Sequence, residues 1–478
     1  MPATVMPERE LIEQHIMRII STYYKNKQSK LTTEMEMKRI LATVLIMLGI
    51  LPAFAQDSIK YISLHQACKL GIVSNAGIIN AKLETKKSGY QLKETQSKLY
   101  PQLEGYSDFS YYYAIPQMMM PGEMFGQTGE VPVQIGTKYD WTYGFKASVT
   151  LYNQSYYTSI KVAKRMQTIN ELTALQKKEE LVYEVSQVYF LCKTTANQIT
   201  QLEKNKQNTD RLLDILKLQE ENGIARKIDY SKVWVTKNNL QTQIDNLDQL
   251  LQQQTGLLKH LIGIKLDDRI ELSDSLSFTT GLPDFEKPDF NRQSELRLLD
   301  KQIELTGLNR KANRQAYLPS LSGSGQLYYD GQQNEFDYFK GGGDKFYKVG
   351  FIGLSLSIPI FDGFEKRSKT KQYDIELQQL QNTRKDTENN YLKDFIDAKN
   401  QYNTSLKALL RQLDNIKVAE EDYNITLQNY RQQVMSLSDV MLSENSLTEA
   451  RLSYVNALLQ VKNAELDLKK GQGELLNY

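Results

Sequence analysis

Apolar residues alternate with small or polar ones along residues 139–152. The apolar positions are Trp141, Tyr143, Phe145, Ala147, Val149 and Leu151. A period of two places them on one face of a β-strand, and about a dozen residues is the length of a tilted strand that crosses a membrane. We therefore predict four strands, at Leu103–Tyr113, Tyr139–Tyr152, Leu321–Asp330 and Tyr347–Ile360. The alternation alone is equally typical of a soluble antiparallel sheet with one buried face.

The rest of the chain has apolar residues at helical spacing. Two segments, Tyr156–Glu221 and Phe364–Gln433, run without a helix breaker, and each is followed by a shorter helical segment, Lys227–Ile262 or Ser438–Lys470. A helix of about 66 residues is on the order of 100 Å long. Helices of this length with few internal caps are typical of coiled-coil packing. A further helix is predicted at Ser63–Leu99.

The chain repeats itself after about 210 residues. Three pairs of segments correspond, which are Tyr100–Tyr113 with Tyr317–Tyr329, Val149–Gln154 with Ile358–Gly363, and Asn222–Val233 with Val434–Asn445. The last pair sets Asp229 against Asp439. A unit this long exceeds the usual solenoid period and indicates an internal tandem duplication. We predict a first repeat at 56–263, a connecting region at 264–289 and a second repeat at 290–478.

Residues 37–55 have the pattern of a signal peptide. Lys38 and Arg39 precede the apolar run Ile40–Leu51, and Ala53 and Ala55 form a small-x-small cleavage site. An apolar run of this length is too short to span a bilayer as a helix, so export is predicted. The residues before it, 1–36, are interpreted as a misassigned extension.

The charge and the reactive side chains exclude several functions. The chain has 59 basic and 57 acidic residues and a formal charge of +2, so no broad positive field indicates nucleic-acid binding. Its three histidines, His15, His65 and His260, are not near a cysteine or carboxylate cluster. Because the sequence also has no phosphate loop and no nucleophile elbow, we expect no enzyme activity, no metal and no cofactor.

The sulfur-containing residues leave two alternatives open. Cys68 and Cys192 either form one disulfide or are two buried thiols, and thiols are favoured. A loop carries four methionines, Met118, Met119, Met120 and Met124. Thioethers can hold Cu(I), but we interpret this segment as a hydrophobic loop.

Aromatic residues near the strand ends suggest a membrane environment. They are Tyr111, Tyr112, Tyr113, Trp141, Tyr328 and Tyr329, and we predict that they form membrane-belt aromatics. Four strands cannot close a membrane barrel, because an open edge leaves backbone groups unsatisfied in lipid. A homotrimer would supply twelve strands. The predicted fold is therefore mainly α with transmembrane β.

Over residues 57–474 the sequence resembles the TolC family of outer-membrane efflux proteins. The residues that carry the resemblance are the strand entries YPQL at Tyr100–Leu103 and LPSL at Leu318–Leu321, the exits LYNQ and PIFDG, and the repeated segments that follow Asn222 and Val434. The resemblance implies a trimeric, 12-stranded outer-membrane β-barrel with four strands per chain, continued by a long periplasmic α-helical coiled-coil barrel.

The resemblance also implies a gate at the helix turns. Asp439 matches the first of two acidic residues that close the tunnel in the family, and Asp229 is its counterpart in the first repeat. The second acidic position is Leu442, and a basic residue that tethers the closed tip would fall at Met435. A ring of three aspartates favours cations. The alternative interpretation is that Asp439 and Asp229 are helix caps.

The functional expectation is an outer-membrane channel of a tripartite efflux or type I secretion system. Such a channel is a passive exit duct for small molecules, drugs and toxic compounds among them, and contacts outer-membrane lipid, a periplasmic adaptor protein and an inner-membrane pump. We place the adaptor contact at the tip residues Gly223, Ser436, Leu437 and Ser438. The alternative function is an exported coiled-coil structural or adhesion protein.

Overall fold

The computed structural model describes residues 17–18, 21–22, 60–277, 288–340 and 345–476. The chain divides into two compact units, 1–60 and 61–478. In the first unit, the described residues are 17–18, 21–22 and Lys60. The predicted signal peptide therefore lies outside the described residues. The same is true of part of the predicted connecting region. The following description concerns the second unit.

The second unit is mainly helical. Its helices are α1 (Leu64–Ser74), α2 (Ala76–Ser97), α3 (Gln154–Glu221), α4 (Lys227–Ile262), α5 (Ser294–Gln315), α6 (Glu365–Arg431) and α7 (Leu437–Gln472). Helices α3 and α6 have 68 and 67 residues, which confirms the two long helices. In the described part of the chain, no helix combines the length and the apolar character needed to span a bilayer.

The single helix predicted at Ser63–Leu99 is wrong, because the chain breaks at Asn75. This residue has an extended backbone with ψ of 127°, so it ends α1. Its side-chain oxygen accepts hydrogen bonds from the Gly77 and Ile78 amides at 2.8 and 3.3 Å. An asparagine in this position caps the start of α2, and a break of one residue leaves no mark in the hydrophobic spacing.

The duplication is confirmed in the two helical hairpins. Helices α4 and α7 have 36 residues each, and each begins and ends 210 positions from its counterpart. Each ends at a glycine in the left-handed conformation, Gly263 with φ of 71° or Gly473 with φ of 72°. The offset corrects one pairing, because Asn222 corresponds to Gln432 and not to Val434; both residues are the C-caps of the long helices.

Within the described residues, eight strands form three separate sheets. The strands are β1 (Lys60–Ile62), β2 (Gln102–Tyr111), β3 (Gln117–Pro121), β4 (Glu130–Gln134), β5 (Tyr139–Tyr152), β6 (Ile270–Leu272), β7 (Ser320–Gln333) and β8 (Tyr347–Ser357). The four predicted strands form one antiparallel sheet in the order β2-β5-β7-β8. The two other pairings, β1 with β6 and β3 with β4, were not predicted from the sequence.

The register gives the four-stranded sheet one apolar and one polar face. On the apolar face, Phe145 of β5 lies between Gly105 of β2 and Leu327 of β7. On the polar face, the next residue, Lys146, pairs in register with Glu104, and their charged groups lie 3.2 Å apart. The alternation predicted for β5 therefore extends across the sheet.

A buried cluster holds α1, α3 and α4 together. It includes Tyr189, whose hydroxyl donates to the Ile62 carbonyl at 3.1 Å, and both cysteines. Cys68 and Cys192 are buried and free, which confirms two thiols and excludes the disulfide. Burial raises the pKa of the Cys192 thiol to about 11, so it stays protonated near neutral pH.

Candidate functional site

The two helical hairpins, α3–α4 and α6–α7, end in turns of the same geometry. We call them hairpin 1 and hairpin 2. In hairpin 1 the chain leaves α3 at Asn222 and turns at Gly223, which has φ of 70°. The Ile224 amide then donates to the Gln219 carbonyl at 2.8 Å, which satisfies a carbonyl at the end of the helix.

Hairpin 2 makes this turn without a glycine. Gln433 stands where Gly223 stands in hairpin 1 and has φ of 64°. The Val434 amide donates to the Asn429 carbonyl at 2.9 Å, the same closing bond. A left-handed backbone costs a residue with a Cβ about 1 kcal/mol, so the surrounding turn holds Gln433 in a strained conformation.

Asp439 closes the start of α7 through a capping box. Ser436 is the N-cap, and Asp439 is the third residue of the helix, which corrects the interpretation of Asp439 itself as the N-cap. The Ser436 amide and hydroxyl donate to Oδ2 of Asp439 at 2.9 and 2.7 Å, and the Asp439 amide donates to the Ser436 hydroxyl at 3.3 Å. These bonds hold the pKa of Asp439 below its ordinary value.

Asp229 has the same place in α4 but a different partner. It is also the third residue of its helix, after the N-cap Arg226. The Arg226 guanidinium donates to both carboxylate oxygens of Asp229, at 2.9 and 3.0 Å. This bidentate pair lowers the pKa of Asp229 and offsets its charge.

The two turns pack against each other. Leu216 of α3, Val233 of α4 and Val440 of α7 are buried in one apolar cluster just behind the turns. At its edge, the Tyr430 hydroxyl of α6 donates to Oε1 of Gln219 on α3 at 3.4 Å. The turns of hairpins 1 and 2 are therefore one packed unit, which we call the tip.

Behind the apolar cluster lies a layer of polar contacts between the hairpins. The Asn205 amide of α3 donates to the Thr448 hydroxyl of α7 at 2.7 Å, and the Asn208 amide donates to Oε1 of Glu444 on α7 at 3.1 Å. Asn205, Asn208 and Glu444 line a cavity of about 270 Å³ between α3, α4, α6 and α7. Nothing in the sequence pattern distinguished Glu444, because its burial becomes visible only when the two hairpins are placed together.

The outer surface of the tip presents both polar and apolar side chains. Gly223, Ser436 and Ser438 are exposed, and Leu437 is half-buried against the apolar cluster. Three further apolar side chains are exposed beside them, Ile224, Val434 and Leu442. The predicted adaptor-contact residues therefore lie together, with an apolar surface that the sequence analysis did not assign.

Three of the six predicted belt aromatics lie on the apolar face of the sheet. Trp141 belongs to an aromatic cluster with Phe109, at a centroid distance of 6.2 Å, and Tyr329 stacks on Tyr143 at 5.5 Å. Tyr111 lies 5.1 Å from Tyr139 in the same cluster. Tyr328, however, pairs with Gly144 and lies on the polar face. Tyr112 and Tyr113 follow the end of β2 and are exposed.

The described part of the chain contains no candidate metal centre. Among the residues that the structure describes, no group of three or more histidine, cysteine, aspartate or glutamate side chains is placed to hold a metal ion. What the arrangement offers instead is a packed contact between two hairpins, an aspartate beside each turn and a sheet with one apolar face.

Residues 291–474 match the sequence model of the outer membrane efflux protein family. This match covers the second repeat and confirms the resemblance found in the sequence. No curated protein matches the chain.

Several solved outer-membrane proteins share the fold of this chain. CusC superposes with a TM-score of 0.69 at 16% identity, over 87% of this chain and 93% of CusC. VceC of Vibrio cholerae gives 0.69 at 12% identity, over 86% and 96%. The CmeC outer membrane channel of Campylobacter jejuni gives 0.68 at 17% identity, over 86% of each chain. At these identities the similarity establishes the fold.

Proposed function

Because residues 291–474 match the model of the outer membrane efflux protein family, we propose that the chain lies in the outer membrane and forms a passive exit duct for small toxic molecules. The duct is a homotrimer, and it works with a periplasmic adaptor protein and an inner-membrane pump that supplies the energy. CmeC, which shares its fold, is an outer membrane channel, and we assign no catalytic step to this chain.

The edges of the four-stranded sheet support a trimer. Strands β2 and β8 each pair on one side only within the described chain. An edge left open in lipid would leave its backbone N–H and C=O groups unsatisfied, at a cost of several kcal/mol for each group. Joining β8 of one copy to β2 of the next removes these edges, and three copies give a closed barrel of twelve strands.

The two faces of the sheet support a water-filled barrel in lipid. The apolar side chains of Ile352, Leu354 and Leu356 are all more than 60% exposed in the single chain, so they have no core to cover them. Lipid is the environment that such a face requires. The opposite face, with Lys146, Glu104 and the Thr142–Asp330 hydrogen bond of 3.2 Å, then lines the duct.

The tip supports a gate at the periplasmic end. Asp439 is exposed, and its partner Ser436 brings no opposite charge. Three copies around the trimer axis would form a negative ring that favours cations. The exposed tip residues near Gly223 and Ser438, together with Val434 and Leu442, form the surface that we assign to the adaptor contact.

The observation that carries the proposal is the four-stranded sheet with unpaired edges and an uncovered apolar face, in a chain with hairpins on the order of 100 Å long. The test is single-channel recording of the purified chain in planar bilayers, combined with flotation on liposomes. Discrete openings and flotation are expected. A chain that neither floats nor opens channels would be the exported structural protein instead.

A further inference from the structure

The polar layer behind the tip contains one buried acid. The side chain of Glu444 lies on α7 and faces both α3 and α6, and the residue is only 8% exposed. Its Oε1 accepts the hydrogen bond from Asn208, but its Oε2 is enclosed and accepts none from the residues that the structure describes. A carboxylate in this position is costly, because an unpaired charged oxygen is removed from water.

We propose that protonation of Glu444 sets how firmly hairpin 2 is held against hairpin 1. We call Glu444 and its contacts with Asn208 and Tyr423 the crossbar. This inference rests on the proposed gate and names a control on it. The crossbar connects three helices, since Asn208 lies on α3, Tyr423 on α6 and Glu444 on α7. Tyr423 and Glu444 both belong to hairpin 2, so a movement that separates the hairpins must break the Asn208–Glu444 hydrogen bond and expose the carboxyl group to water.

The charged groups around the cavity do not neutralise Glu444. Arg211 of α3 and Arg431 of α6 line the cavity, but their side chains are exposed. Arg451, which lies seven residues after Glu444 on α7, is paired with Glu420 at 2.8 Å. Helix α4 contributes only uncharged residues to the lining, among them Thr236.

Burial is the largest influence on this carboxyl group and raises its pKa above the ordinary value. The Asn208 amide, the Tyr423 hydroxyl and Arg451 act in the opposite direction and are weaker. The packed tip therefore binds this proton more tightly than an open tip, in which Glu444 is solvated. The stabilisation of the packed tip is fully present below about pH 4, the range of a solvated glutamate, and is lost as the pH rises through the higher pKa of the packed state.

The other acids of the tip do not produce this response. The pKa values of Asp229 and Asp439 are lowered, so both residues remain ionised at mildly acidic pH. A response above the ordinary range of a glutamate that depends on Glu444 is therefore distinct from titration of the two turn aspartates.

The test compares wild type with Glu444→Gln, a neutral side chain of the same shape. The open probability of single channels is measured from pH 8 to pH 5. The open probability of wild type is expected to be several-fold lower at pH 5 than at pH 8. That of Glu444→Gln should be low at every pH. Glu449→Gln, an exposed change on the same helix, serves as the matched control and should follow wild type.

A second variant tests whether the response depends on protonation of Glu444 and not only on packing around it. Tyr423→Phe keeps the ring but removes a hydroxyl that lowers the pKa of Glu444, so the midpoint of the response should move to higher pH. A merely structural role for Tyr423 would change the open probability without moving this midpoint. An unchanged midpoint, or a Glu444→Gln channel that responds to pH as wild type does, would overturn the proposal.

A second readout does not require a conducting channel. Val434 is 73% exposed, and both native cysteines are buried, so a nitroxide attached at Val434→Cys labels the tip selectively. Its spectrum should show greater mobility at pH 8 than at pH 5, and no such change when Glu444→Gln is added. A protein that shows this spectral change but conducts no current would refute the duct and leave the crossbar standing. A protein that conducts but shows no spectral change would refute the crossbar alone.

Discussion

Asp439 and Asp229 occupy the same position in two hairpins, 210 residues apart, but only Asp229 is paired with a cation. Arg226 holds Asp229 by two hydrogen bonds, whereas Asp439 is bonded to the uncharged Ser436. The duplication therefore preserved the place of the acid in the helix and changed its electrostatic effect. If the tip is the gate, Asp439 is the one of these two aspartates whose charge no paired cation offsets.

The first prediction follows from this difference. Asp439→Asn keeps an oxygen for the capping box but removes the charge, so the preference of the channel for cations over anions should fall several-fold. Asp229→Asn removes a charge that Arg226 already offsets, and is expected to change the selectivity much less. The measurement is the reversal potential across a salt gradient. Equal effects of the two variants would show that the ring does not depend on Asp439.

The second prediction concerns the pH range of this selectivity. Because the pKa of Asp439 is lowered by Ser436, its charge and its capping contribution are present above the ordinary range of an aspartate and are lost only as the pH falls through the lowered value. Cation preference should therefore stay constant from pH 8 to about pH 5, where aspartates are ionised.

Ser436→Ala checks the cause of that range. It removes the serine hydroxyl and leaves the carboxylate, so the selectivity should begin to fall at a higher pH than in wild type. Ser438→Ala, two residues further along, serves as the control and should leave the pH range unchanged. A loss of selectivity at the same pH in Ser436→Ala and wild type would contradict the assignment.

The third prediction concerns the contact between hairpins at the edge of the tip. Tyr430→Phe removes the hydrogen bond to Gln219, which contributes about 0.5–1 kcal/mol, so the open probability should rise about two- to fivefold. Tyr373→Phe, on the same helix but far from the turn, is the control. A Tyr430→Phe channel that opens no more often than the control would show that this bond does not hold the gate.

The strands and the long helices could be predicted because their signals are local. The alternation from Trp141 to Leu151 fixes one face of β5, and its partners follow by pairing. The break at Asn75 and the strands β3 and β4 escaped prediction, because one capping residue and short strands barely change the hydrophobic pattern. The role of Glu444 depends on Asn208 and Tyr423, both more than 20 residues away in sequence, and no local pattern contains that information.

The last prediction tests the assignment of the two faces of β8 with two adjacent residues. Ile352 pairs with Gly325 on the apolar face, whereas Phe351 pairs with Gln326 on the polar face. Ile352→Lys would place a charge toward lipid, at a cost of about 2–4 kcal/mol near the middle of the bilayer, and three copies of the chain would each bear it. Phe351→Lys would place the same charge toward water.

We therefore expect Ile352→Lys to reduce the fraction of membrane-inserted trimer by at least tenfold, and Phe351→Lys to insert nearly as wild type and to alter conductance instead. Insertion is measured by liposome flotation and by resistance of the trimer to dissociation in detergent. If both variants lost insertion equally, the sheet would be buried on both faces, as in a soluble protein. If Phe351→Lys alone lost insertion, the assignment of the lipid-facing side would be reversed.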